Sequence, residues 1–332
     1  MSMDHGGWSE IGLAWRLMDR RTLLGALGAA FVPVPALASA HPAGVAMLAA
    51  LERRAGGQLG VMVRDCATAR GFGWRQDERF AHCSTFKLSL AAMVLAQIDA
   101  GRVHGDEVLA YSVLDVLPAS PVTGEAARRT ASDEALAGHE GMSILALAQA
   151  AVERSDNTAA NLLLARFGGP AALTAFWRAT GDDVSRLDNT EPQLNRVAQG
   201  EVHDTTTPAA MAATLGRLLT GSVLSGASRA LLWGWMKACT TGLGRLRAGL
   251  PAGWQAGDKT GTEYGPEALA RINDLALVLA PVGAGHARGP LAVTAYYVPG
   301  GRLDDMRPAD EAVLAAVMRV ATDPEAWKVK RR

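Results

Sequence analysis

Strand-like stretches sit at the two ends of this chain and helix-like stretches fill its middle, and that order restricts the folds open to it. Near the start, "QLGVMVRDCATARGFGWRQDE" reads as two short strands about a turn at Ala69–Gly71. Near the end, "QAGDKTGTE", "INDLALVLAPV" and "PLAVTAYYVPG" read as strands, separated by Gly-rich turns such as "GAGHARG". From Ser84 to about Lys237 the spacing predicts helices over 84–100, 142–153, 157–167, 170–179 and 207–220. "AGVAMLAALERRAG" (43–56) and "PADEAVLAAVMRVATD" add a helix at either end. Sequential strands joined by short turns pair antiparallel. The expected fold class is therefore α/β (α+β): a five-stranded antiparallel sheet covered by terminal helices, plus an all-helical lobe. Residues 41–83 and 238–332 would form the α/β domain and residues 84–237 the all-α domain. A crevice between the two is the natural place for a site.

Residues 1–40 read as an address. "DRRTLLGALGAAFVPVPALASA" has paired Arg20 and Arg21, a short apolar run and Ala38-Ser39-Ala40, the pattern of a signal peptide with an A-x-A cleavage site. The paired arginines point to the twin-arginine route. Pro33 and Pro35 break the apolar run, which argues against a retained membrane helix. Met18 is a candidate start, and the mature chain is expected to begin near His41, in the periplasm and without a membrane anchor. The 332 residues suffice for a sizeable core and one or two domains. Lys+Arg and Asp+Glu both number 33, with no basic patch, so nucleic acid and anionic membrane are poor partners. Cys66, Cys83 and Cys239 allow at most one internal bridge, and buried free thiols are an equal alternative. No cofactor is expected, because the histidines show no metal-ligand spacing.

Four stretches carry residues suited to chemistry, each with a plain structural alternative. In "FAHCSTFKLSL", Ser84 and Lys87 share one helix face; they are a nucleophile with its base, or an N-cap with a snorkelling lysine. In "ERSDNTAANLLL", Ser155 is a proton relay and Asn157 an amide clamp, or Ser155 or Asp156 merely caps a helix. In "RLDNTEPQLNRV", Glu191 and Asn195 could grip one water from a single turn, or Glu191 is a solvated carboxylate beside Pro192. In "GWQAGDKTGTEYG", Lys259 points off a strand while Gly261 admits a ligand, or this is an ordinary charged turn.

S-x-x-K, S-D-N, a glutamate-bearing loop and K-T-G, in that order, resemble a class A serine β-lactamase. "SDNTAANLLL", "RLDNTEPQLN", "DTTTPAAMA", "TGLGRLRAGLPAGW" and "DKTGT" extend the likeness through most of residues 58–300. The resemblance implies the fold of that family and of penicillin-binding proteins. It also implies a monomeric enzyme that hydrolyses penicillins and cephalosporins through an acyl-enzyme and so confers resistance. On that basis Ser84 matches the acylated nucleophile, Lys87 its base or relay, and Glu191 with Asn195 the holders of the deacylating water. Ser155 matches the donor to the leaving nitrogen, and Asn157 the ligand of the substrate's side-chain amide. Backbone N–H groups of Ser84 and Thr262 would form the oxyanion hole. Lys259, Thr260, Gly261 and Thr262 would receive the substrate carboxylate; Arg245 either joins them or is a surface arginine.

The sequence also departs from the family. Asn189 stands where most members pair an arginine with the loop aspartate, here Asp204, and Thr190 replaces a large aromatic. A looser loop, open to bulky cephalosporins, is expected. Ala119 takes the place of a flat aromatic at the entrance. Cys83 is shared with the carbapenem-hydrolysing branch, but its partner cysteine is missing from Glu263-Tyr264-Gly265. Added pieces around Thr130–Glu140 and Pro266–Ile272 lengthen connections near the cleft. The rivals are a D-Ala-D-Ala carboxypeptidase or transpeptidase, a β-lactam sensor that acylates once, and a serine-lysine glutaminase. The first lacks a water-activating glutamate.

Overall fold

The computed structural model describes residues 42–132, 141–198, 200–265, 268–281, 289–300 and 303–329. The expected leader, residues 133–140 of the first added piece, 266–267 of the second and most of the "GAGHARG" turn lie outside them. In chain order come α1 (Ala43–Ala55), β1 (Gln58–Asp65), β2 (Gly71–Trp74), β3 (Phe80–Ala81) and α2 (Phe86–Asp99). The middle holds β4 (Val108–Leu109), α3 (Pro121–Ser132), β5 (Met142–Ser143), α4 (Ile144–Glu153), α5 (Asn157–Arg166), α6 (Gly169–Ala179) and β6 (Thr205–Thr206). Then follow α7 (Pro208–Thr220), α8 (Gly226–Lys237), β7 (Gln255–Glu263), β8 (Arg271–Leu279), β9 (Leu291–Val298) and α9 (Pro308–Thr322).

The expected five-stranded antiparallel sheet is present, in the order β2-β1-β9-β8-β7. The two chain ends meet where β1 pairs with β9, Val63 opposite Val293. The central strands are largely buried because both faces are covered, and the period of two sorts their side chains. Val61, Val63, Ile272, Val293 and Ala295 pack with Leu48 of α1 and Leu314 of α9. Met62, Leu275, Leu277, Ala292 and Tyr296 pack with Leu90 of α2 and Leu215 of α7.

Every residue of α2 from Phe86 to Leu95 is buried. Such a helix is apolar all round rather than on one stripe, and it lies among α4, α5, α6 and α8. Lys87 is therefore enclosed by design of the packing, with no route to snorkel to solvent. Two helices were not expected, α3 and α8. Pro121 in the first turn suits α3, and Ser225 caps α8 by accepting from Ser228 N.

Candidate active site

Ser84 occupies a tight helical turn, Cys83–Thr85, immediately before α2. Cys83 holds a left-handed φ of 45°, an unfavourable conformation for a residue with a β-carbon. The surroundings enforce it. Asn273 Nδ2 of β8 donates to Ala81 O and His82 O at 2.9 and 3.2 Å. The His82 ring stacks on Trp177 at 5.0 Å, and burial pushes the imidazole down to about 4, so it is neutral near pH 7. A β-carbon on Gly261 would sit 2.7 Å from His82 O and 2.9 Å from Thr85 Cγ2, so glycine is what lets β7 lie against this turn.

Lys87 is fully buried with its Nζ 2.9 Å from Ser84 Oγ, 2.8 Å from Ser155 O and 2.5 Å from Asn157 Oδ1. Glu191 Oε1 is 3.0 Å from the same nitrogen, and Ser84 Oγ donates to Glu191 Oε1 at 3.2 Å. Burial lowers the Lys87 ammonium pKa below the usual lysine range, and the Glu191 carboxylate opposes that shift.

Ser155, also left-handed at φ 56°, sits between α4 and α5. Its hydroxyl accepts from Lys259 Nζ at 3.1 Å. The helix cap is Asp156, whose carboxylate accepts from Ala159 N at 2.9 Å. The same carboxylate takes Val122 N, Thr123 N and Thr123 Oγ1 at the start of α3, at 2.9, 3.0 and 2.8 Å. Asn157 Nδ2 donates to Pro118 O at 3.0 Å, which fixes the amide's orientation towards Lys87.

Glu191 is only 2% exposed, which removes the solvated-carboxylate alternative. Its main chain is clamped by a residue the motif reading passed over. Asn161 Nδ2 donates to Glu191 O at 2.9 Å, and Glu191 N donates to Asn161 Oδ1 at 3.0 Å. Asn161 is one turn beyond Asn157 on α5, so i,i+4 spacing was the available signal. Asn195 Nδ2 donates to Glu191 Oε2 at 3.0 Å, while its Oδ1 is buried and has no hydrogen-bond partner among the described residues.

The looser loop expected from Asn189 is not found. Asp204 accepts Asp188 N at 2.8 Å, Asn189 N at 3.0 Å and Asn189 Nδ2 at 2.7 Å. A neutral amide thus replaces the missing guanidinium. Arg271 of β8 adds hydrogen bonds to Asn195 O and Val197 O.

Along β7, burial lowers Lys259 to about 8, and its Nζ also donates to Thr260 O at 2.7 Å. Arg245 is not a surface residue: it is 3% exposed and donates to Thr262 Oγ1 at 2.7 Å, Gly261 O at 3.1 Å and Asn273 O at 2.9 Å. Glu311 of α9 pairs with it at 3.1 Å. A cavity of about 990 Å³ opens over these groups, lined by Ser84, Ser155, Asn157, Glu191, Asn195, Arg245, Thr260 and Thr262 among others. Lys87 and Lys259 lie beneath its floor and reach it through Ser84 and Ser155. The three cysteines are free thiols, so no bridge joins Cys83 to β7.

A serine hydroxyl in contact with a buried lysine and a buried carboxylate, at the mouth of a cleft, is the constellation of a serine hydrolase. Residues 45–287 match the family described as "Beta-lactamase enzyme family". β-Lactamase L2 of Stenotrophomonas maltophilia is 45% identical over 273 residues, 82% of this chain and 83% of the relative. β-Lactamase CTX-M-8 of Citrobacter amalonaticus is 41% identical over 277 residues, 83% of this chain and 87% of the relative. A solved ancestral class A β-lactamase (GNCA) gives a TM-score of 0.74 at 48% identity, covering 83% of this chain and 98% of its own. The putative class A β-lactamase PenP of Rhodopseudomonas palustris gives 0.74 at 44%, covering 84% and 98%. The chain belongs to the class A serine β-lactamases, and its activity is the hydrolysis of β-lactams that underlies resistance to these antibiotics.

Proposed function

We propose that Ser84 opens the lactam ring of penicillins and cephalosporins, and that Glu191 then directs water onto the resulting ester. The contact of Ser84 Oγ with both Lys87 and Glu191 carries this reading. Ser84 Oγ lies within hydrogen-bond reach of both Lys87 Nζ and Glu191 Oε1; in this reading Lys87 donates to the hydroxyl and Glu191 takes its proton. Ser84 Oγ attacks the carbonyl carbon and its proton moves to Glu191. The negative charge on the carbonyl oxygen is received by N–H of Ser84 and Thr262, each such donor being worth about 10²–10³ in rate. When the C–N bond breaks, Ser155 Oγ gives a proton to the ring nitrogen, and Lys259, in contact with that hydroxyl, restores it. Lys259, Thr260, Thr262 and Arg245 receive the ring carboxylate. Before the second half Glu191 gives up the serine proton and Lys259 regains one, both by exchange with solvent in the open cleft; Glu191 Oε2 and Asn195 Oδ1 then hold a water, and the Glu191 carboxylate takes its proton as it attacks the ester. Ser84 leaves with a proton and the ring-opened acid departs.

The protein acts in the periplasm after twin-arginine export, a reading supported by "DRRTLLGALGAAFVPVPALASA". A monomer suffices for this reading, because the described residues of one chain supply the cavity lining. Among the described residues no helix is long and apolar enough to cross a membrane.

The test is a hydrolysis panel of nitrocefin, a penicillin, an oxyimino cephalosporin and a carbapenem, with mass spectrometry on Ser84. Wild type should turn over with little acyl-enzyme, whereas Glu191→Ala should accumulate a stable ester. A persistent ester in the wild type would instead mark a penicillin-binding transpeptidase or a sensor.

A further inference from the structure

Strand β8 reaches two parts of the site from one face. Arg271 and Asn273 are two apart on it, so their side chains leave the same side of the strand about 6–7 Å from each other. Asn273 Nδ2 holds Ala81 O and His82 O, and with them the turn that carries Ser84. Arg271 Nη1 donates to Asn195 O at 2.8 Å and its Nη2 donates to Val197 O, which holds the segment that carries Asn195. The two held segments also touch, since Ala81, Cys83 and Val197 form a small buried cluster of their own. Glu191 is held from elsewhere: Asn161 of α5 clamps its main chain. Glu191 is thus secured from a helix and Asn195 from the sheet. Arg271 is 6% exposed, and a buried guanidinium is seldom accounted for by stability alone. Its planar fork suits the task, because it serves two carbonyls two residues apart. Glu263 stands opposite it in the pairing of β7 with β8; burial raises that carboxyl's pKa and the guanidinium opposes the shift.

We propose that Arg271 is the positioning residue of the deacylating water: with Asn273 it makes β8 a gauge that fixes the separation between the ester on Ser84 and the water on Asn195. The inference rests on the assignment of Glu191 and Asn195 to that water. Before Glu191 the loop is tied by the neutral amide of Asn189 on Asp204; after it the tie is the cation of Arg271, supplied by the sheet and not by the loop itself. Removing the guanidinium releases the main chain at Asn195 and Val197. Ser84 keeps the support of Asn273, and Lys87 keeps its own contacts. Acylation is therefore spared and deacylation slowed.

The test is R271A on nitrocefin and benzylpenicillin, with R271K, Glu191→Ala and Leu275→Ala alongside. In R271A, kcat should fall about 10–100-fold and KM should fall with it, which leaves kcat/KM within about twofold of wild type. The ester on Ser84 should accumulate in mass spectra taken during turnover. R271K keeps the charge but, as a point donor, cannot fork across both carbonyls. It should hold ester at an intermediate level, and it carries the test if R271A does not fold. Loss of kcat and kcat/KM in parallel, as in the merely destabilised Leu275→Ala, overturns the inference, and so does loss of neither. Both results leave the water site standing if Glu191→Ala still accumulates ester. Glu191→Ala turning over without accumulated ester overturns the reading of that site and the inference with it.

Discussion

Lys259 is a fully buried lysine that must stay charged to meet a carboxylate, and its pKa of about 8 sets the range in which it can. Above that value the free enzyme presents a neutral amine. The kcat/KM profile should therefore carry an alkaline limb near pH 8, expressed in KM, and Lys259→Arg should move that limb upward. Stability follows the opposite sign. The folded-state pKa lies below the unfolded value of about 10.4, so between the two the unfolded chain binds more protons and this group's contribution rises with pH. Parallel kcat/KM and melting profiles from pH 7 to 10 check both. Asn161 is a second residue with a separable effect. Asn161→Ala removes two hydrogen bonds to the Glu191 main chain, each worth about 1 kcal/mol. It should lower stability by about 1–3 kcal/mol, and it should slow deacylation more than acylation, seen as acyl-enzyme building up in a stopped reaction.

Among the elements, α3 and the Glu191 loop show what sequence could and could not supply. α1, α2, α4–α7 and α9 were legible because apolar spacing is local, and β1, β2 and β7–β9 because turns bracket them. α3 was not: its N–H groups are capped by Asp156, more than thirty positions away, and it buries only Thr123, Gly124 and Ala127. No periodicity reports such a cap. The same carboxylate begins α5, so Asp156→Ala should strip two helices at once. Two caps and several buried donors put the loss at about 3 kcal/mol or more, measurable by urea unfolding. Asn189 was readable as a departure, but its outcome was not, because the amide's fit to Asp204 is a matter of angstroms. Ser84, Lys87, Ser155, Asn157, Glu191 and Lys259 were legible by type and order, while Asn161 and Asn273 hold them from positions that no motif marks.

In the whole molecule the sheet organises the packing, since its two faces feed separate cores. Leu275 lies on the face turned to α2 and α7, directly beside Asp274, which accepts Leu246 N at 3.1 Å. Leu275→Ala should cost about 2–5 kcal/mol in denaturant unfolding, with kcat reduced only in proportion to the folded fraction. The join of β1 with β9 has a temporal side. Every residue assigned a chemical step precedes position 264, yet the strand that locks the first strand in place, Leu291–Val298, leaves the ribosome after all of them. A polypeptide halted before residue 290 would carry the full set of reactive groups without the strand that joins them to the first, which makes activity a readout of synthesis through Val298.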